Sequence, residues 1–147
     1  DAKYKAYEKA GCETYFNKKD HLWTLYEYET GEFKLPESAE AGMIYGGCNC
    51  GNCHITISSN GDIMACRRVT DSKVANIFED RLADVWICQM EKYRDYDKFV
   101  KCSKCELKAW CRGCPAVANG TSGNFYGADS QCWKTRNEIT GERLEEQ

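Results

Sequence analysis

The chain has 147 residues, a formal net charge of −3 and 11 cysteines. That length suits one domain with a modest core, and a hydrophobic share of 42% excludes wholesale disorder. The mild, mixed charge argues against a dedicated nucleic-acid binder, and no apolar run approaches the roughly 18 residues of a membrane span.

The first residues, Asp-Ala-Lys-Tyr-Lys, carry neither an initiator Met nor an apolar stretch. They are no signal peptide, and the expectation is a processed chain or a piece of a longer one. Residues 1–47 hold one cysteine, Cys12, and many aromatics. Residues 20–29 predict a short helix capped by Asp20, with Leu22, Trp23, Leu25 and Tyr26 as its apolar side. Thr30-Gly31 predicts its stop, and Pro36 blocks continuation. The region reads as a connector, with Gly42, Gly46 and Gly47 loosening the chain before the next cysteines.

Ile55 and Ile57 then alternate with Thr56 and Ser58, as in a half-buried strand. Asn60-Gly61 is a strong hairpin-turn signal, and residues 63–66 return as the partner strand. Asp80 is expected to cap a helix carrying Leu82, Val85, Trp86 and Met90. Residues 91–101 read as a solvated helix end and loop, and 102–114 as a cysteine knuckle. A glycine-rich loop (Gly120, Gly123, Gly127) leads to Cys132-Trp133, and 135–147 read as a polar tail.

The cysteines need explanation first. A secreted disulfide scaffold is disfavoured by the odd count, the absent signal and the adequate length. Cys50/Cys53, Cys102/Cys105 and Cys111/Cys114 are all C-x2-C pairs. Such pairs aim two thiolates at one point, as a metal or an iron–sulfur cluster requires. Cys102, Cys105, Cys111 and Cys114 can all serve one metal, as in a zinc ribbon. A competing arrangement follows two-cluster ferredoxins, where a cysteine followed by Pro ligates the other cluster. Cys114-Pro115 has that character, and Cys132 can then complete the set left by Cys102, Cys105 and Cys111.

This pattern resembles the SPASM domain, the auxiliary-cluster module of many radical S-adenosylmethionine enzymes. Gly61-x4-Cys66 fits the family's G-x4-C, and Cys102, Cys105 and Cys111 match its C-x2-C-x5-C. Cys114 comes one residue early, and Cys132 closes the pattern. The resemblance runs from residue 48 to about residue 134. It implies two [4Fe-4S] clusters. One is held by Cys66, Cys114 and one or two of Cys48, Cys50 and Cys53; the other by Cys102, Cys105, Cys111 and Cys132. With only one upstream ligand, the first cluster keeps an open iron. The C-x3-C-x2-C loop that binds S-adenosylmethionine and a third [4Fe-4S] cluster in this superfamily has no counterpart here. The catalytic barrel is thus expected in a missing parent domain, and this chain alone should be inactive.

The remaining residues carry plainer expectations. Cys88 reads as a small buried hydrophobe, and Cys12 and His21 as structural. His54 reads as a strand-face or surface histidine, with cluster ligation the rarer choice. Arg67, Arg68 and Arg112 either raise a cluster's potential, grip an acidic peptide or are simply exposed. Trp110 and Trp133 are expected to shield the clusters from water.

The reading is a small cysteine-rich α+β domain, a β-hairpin plus helices around two [4Fe-4S] clusters. Residues 1–47 connect to the missing barrel, 48–134 bind the clusters, and 135–147 are the tail. By resemblance, the parent crosslinks a ribosomally made precursor peptide in an anaerobic or strongly reducing cytoplasm. Its partners are that peptide, the barrel and an electron donor or acceptor protein, with no nucleic acid and no membrane. The rivals are a structural zinc-binding or protein-interaction module and a stand-alone ferredoxin-like carrier.

Overall fold

The computed structural model describes residues 1–15, 18, 21–38, 40, 42–134 and 139. The hairpin forms as its alternation predicts. β1 (Thr56–Ile57) pairs antiparallel with β2 (Asp62–Met64), Ile57 opposite Ile63. The turn is longer than the two-residue form. Gly61 N–H donates to the Ser58 carbonyl at 2.9 Å, and Ser58 N–H donates to that of Asp62 at 3.0 Å. This leaves a three-residue loop ending on Gly61 at φ 85°, the position such a hairpin reserves for a left-handed residue. A Cβ there would also lie 2.6 Å from the Phe78 ring, so the glycine of the G-x4-C motif is needed for shape and for space.

A third strand that the sequence pattern did not announce, β3 (Lys73–Asn76), pairs antiparallel on the other side of β2. Its register shifts between Ile63 and Met64. The expected helix at 80–90 starts later and winds differently. Asp80 accepts a hydrogen bond from Asn76 N–H at 3.0 Å instead of capping a helix. After two earlier helices, α1 (Ala2–Lys9) and α2 (Trp23–Glu29), a single turn, α3 (Leu82–Asp84), widens into a π-helix over Val85–Gln89, closed by Met90 N–H to the Val85 carbonyl at 2.9 Å. Arg94 stacks on Trp86, 4.4 Å from its ring centre, and donates to the carbonyls of Trp86 and Gly51. This ties the helix to the loop that carries Cys50.

Residues 91–101 are not a solvated end. Two 3-10 turns, Glu91–Arg94 and Tyr96–Lys98, place Tyr93 and Phe99 in the core. The expected glycine-rich loop after residue 114 begins as a helix, labelled α4 below (Pro115–Ser122). Pro115 starts it without losing a needed N–H, and Gly123 ends it in the left-handed conformation at φ 67°.

Two apolar clusters organise the interior. The larger joins Ile63, Val69, Val85, Met90, Tyr93 and Phe99, and takes in Cys66 and Cys102. The smaller joins Leu22, Leu25, Leu107 and Cys111, with Cys105 and Cys132 packed against it. Leu22 and Leu25 belong to a predicted helix that does form, as Trp23–Glu29, stopping at Thr30; its proposed cap, Asp20, lies outside the described residues. A further N-terminal helix, Ala2–Lys9, was not expected and buries no residue. Residues 135–138 and 140–147, most of the predicted tail, also lie outside the described residues. The described architecture is a small α+β fold. Among the described residues no helix is long and apolar enough to cross a membrane.

Candidate iron–sulfur cluster sites

Cys48, Cys50, Cys66 and Cys114 line one cavity of about 260 Å³. They arrive from three local structures. Cys66 follows β2 and is held by Ser72, which is 1% exposed. The Ser72 hydroxyl accepts from Cys66 N–H at 3.1 Å and faces the carbonyls of Cys66 (3.0 Å) and Val69 (2.6 Å). Cys114 occupies the cap position of α4, in extended conformation, and its N–H is bound by the Asp129 carboxylate at 2.7 Å. Cys48 and Cys50 come from the loop before β1, where Asn49 accepts from the N–H groups of Asn52, Cys53 and His54.

Within this quartet the Cys50 pKa is pushed up, first by the neighbouring Cys48 and Cys66 thiols and then by burial. Cys48 and Cys66 are pulled below the ordinary thiol range, first by Cys50. His21 adds a hydrogen bond to Cys48, so this histidine from the N-terminal region belongs to the cavity rather than to a helix cap. His54 Nε2 lies 3.8 Å from Cys50 Sγ. Cys53 is exposed and is not among the cavity-lining residues. The structure thus brings two of the three upstream cysteines together with Cys66 and Cys114.

Cys102, Cys105, Cys111 and Cys132 form a second quartet. Burial, then the neighbouring thiols of Cys111, Cys105 and Cys132, pushes the Cys102 pKa up to about 12. Burial first of all also raises Cys105 and Cys111, and both feel Cys132. Protonated, crowded thiols of this kind give up their protons when a metal takes the sulfurs.

Cys111 and Cys114 therefore part company although two residues separate them. The physical cause is Gly113, at φ 61°. Its left-handed turn lets Cys111 close on the Leu107 carbonyl at 2.7 Å while Cys114 runs extended toward the other quartet. A Cβ at 113 would lie 2.7 Å from Asp129 Cβ.

Between the quartets lies Arg112, 3% exposed. It donates to the carbonyls of Gly46 (2.9 Å), Cys48 (2.7 Å) and Lys108 (3.3 Å), and covers the Tyr96 ring at 4.6 Å. Gly46 and Gly47, expected to loosen the chain, are packed against residues 110–112. Arg67 and Arg68 are exposed and line the first cavity.

Two expectations fail, those for Cys88 and Trp133. Cys88 is exposed, since the widened helix turns it away from the core. Trp133 is 49% exposed and hydrogen-bonds Glu29, so it shields little. Trp110 stacks on Tyr45 at 5.3 Å and bears on the connector. Ser72 and Asp129 were missed. Nothing in the local sequence marks Ser72, whereas Asp129, three residues before Cys132, had the spacing of a side chain that caps a turn.

The donor sets suit cubane clusters: four thiolates each, one per iron. Among the described residues no three His, Cys, Asp or Glu side chains form a group that could hold a single metal ion. Residues 48–115 match the family model of SPASM, an iron–sulfur cluster-binding domain. Over these residues the chain is similar to the SPASM family. No curated protein and no solved structure gives a match. The SPASM match includes all four cysteines of the first quartet and stops short of Cys132; the fold alone brings that residue to the second. That similarity points to iron–sulfur cluster binding by this segment.

Proposed function

We propose that the chain binds two [4Fe-4S] clusters and is the auxiliary-cluster part of a radical S-adenosylmethionine enzyme that crosslinks a ribosomally made peptide. Cys48, Cys50, Cys66 and Cys114 hold the first cluster; Cys102, Cys105, Cys111 and Cys132 hold the second. The observation that carries this reading is the interleaving of the quartets, with Cys114 crossing from the knuckle to the cavity that Cys66 lines. Such clusters supply one-electron transfer or substrate binding. With both Cys48 and Cys50 engaged, the first cluster has four thiolates and no open iron, which favours the electron-transfer role. The connector residues 1–47 face a barrel in the parent chain, and the precursor peptide and an electron donor or acceptor protein are the remaining partners. The clusters place the protein in an anaerobic or strongly reducing cytoplasm.

The protein's own residues do the rest. Ser72 and Asp129 hold ligand backbones in place. The Tyr93, Phe99 and Phe125 rings pack together beneath Cys66 and Cys102 and keep that side dry. The test is metal content in protein prepared and reconstituted without oxygen. On the order of eight iron and eight sulfide per chain, with a brown colour, is expected for two cubanes. Stoichiometric zinc without iron would establish the structural-zinc module instead.

A further inference from the structure

Among the described residues Arg112 is the one arginine whose guanidinium is buried beside both quartets. Its backbone adjoins Cys111 of the second, and its Nη2 donates to the Cys48 carbonyl of the first at 2.7 Å. Among the described residues no carboxylate forms an ion pair with it. Its partners are three neutral carbonyls and the face of Tyr96. A buried charge needs counter-charge; burial works against the charged form of Arg112, and besides Tyr96 the neighbours that favour it are the cysteine sulfurs of Cys48, Cys111 and Cys102, drawn from both quartets. The side chain fits a role in which its missing counter-ions are the clusters themselves.

We propose that Arg112 is a shared, fixed cation that raises the reduction potentials of both clusters, resting on the reading that the two quartets hold clusters. A cluster with four thiolates is negatively charged and gains another negative charge on reduction. A nearby cation favours the reduced form, and burial removes most of the salt screening that weakens surface charges. Arg67 and Arg68, exposed at the cavity mouth, act through solvent and on one site. Arg112 acts on both from inside, so it is a positioning and tuning residue rather than a catalytic one.

The experiment is a redox titration, followed by electron paramagnetic resonance, of the reconstituted 147-residue chain and its Arg112→Gln and Arg112→Lys variants, with iron and sulfide counted first. Gln removes the charge and keeps a donor; Lys keeps the charge and loses the fork. Arg112→Gln should lower both potentials, by about 59 mV for a tenfold change in the reduced-to-oxidised ratio. Arg112→Lys should stay near wild type. Loading of the Lys variant but not the Gln variant also supports the charge role. If both variants shift equally, if neither shifts, or if neither loads, the side chain acts through its hydrogen bonds and the proposal is wrong. A wild-type chain that takes up no iron overturns the cluster reading itself, a separate result.

Discussion

Asp129 accepts the Cys114 N–H on one carboxylate oxygen at 2.7 Å and the Gln131 N–H on the other at 2.8 Å. Its own carbonyl accepts Cys132 N–H at 3.1 Å. This one residue, 3% exposed, therefore holds the backbone of a ligand from each quartet, Cys114 through its side chain and Cys132 through its main chain. Asp129→Ala should leave two donors without an acceptor, at about 1–3 kcal/mol for each group left buried. Denaturant unfolding of the loaded protein checks the loss, and iron analysis should show the site of Cys114 depleted first, because the carbonyl that holds Cys132 N–H survives the substitution.

Cys111 and Cys114 should fail separately. Cys111→Ala should damage the site that contains Cys132, and Cys114→Ala the site that contains Cys66. Spectra of the cluster left in each variant distinguish them. Identical residual spectra would mean that the knuckle cysteines share one metal. Gly113→Ala should impair both sites together, because a non-glycine residue in the left-handed region costs on the order of 1–3 kcal/mol and the new Cβ meets Asp129.

Ser72→Ala should weaken the first site selectively. Its hydroxyl is the acceptor for Cys66 N–H and faces two carbonyls in a buried turn. Leaving such groups unsatisfied costs about 1–3 kcal/mol. The expected outcome is a lower unfolding midpoint with loss of the Cys66-site signal before that of the second site.

Cys53→Ser should retain full iron content, whereas Cys48→Ser and Cys50→Ser should each lose iron from the first site. Full loading of Cys50→Ser together with depletion in Cys53→Ser would reverse the assignment made from the cavity.

Removing iron with a chelator under reductant should loosen residues 102–132 first, seen as a sharp rise in amide exchange. Burying one large side chain such as Leu107 or Phe125 contributes about 1.5–3 kcal/mol. Ordering the backbone costs roughly 1–2 kcal/mol per residue, and α4, with 8 residues, is too short to be stable alone. Metal–thiolate bonds supply the difference. The sheet, with Ile63 fully buried between two partner strands, should stay protected longer. Continued protection of 102–132 in metal-free protein would show a self-sufficient fold.

The hairpin, its glycine and the candidate ligands were legible in the residues, because alternation, turn chemistry and cysteine spacing are local signals. The choice between Cys50 and Cys53 was not, since both lie in the same short loop, and only the position of Cys66 and Cys114 across the cavity separates them. Likewise β3 lacks a turn signal of its own and exists because β2 offers it an edge. The π-helix that exposes Cys88, and the burial of Tyr93 and Phe99 in a charged run, follow from contacts with Arg94 and the sheet. His21, Ser72 and Asp129 lie from 3 to 27 residues along the chain from the cysteines they serve. By itself the sequence determined which sulfurs were available. The tertiary structure decided their grouping, because a thiolate's partners are set by where Gly113 turns the chain and by what a buried hydrogen bond holds still.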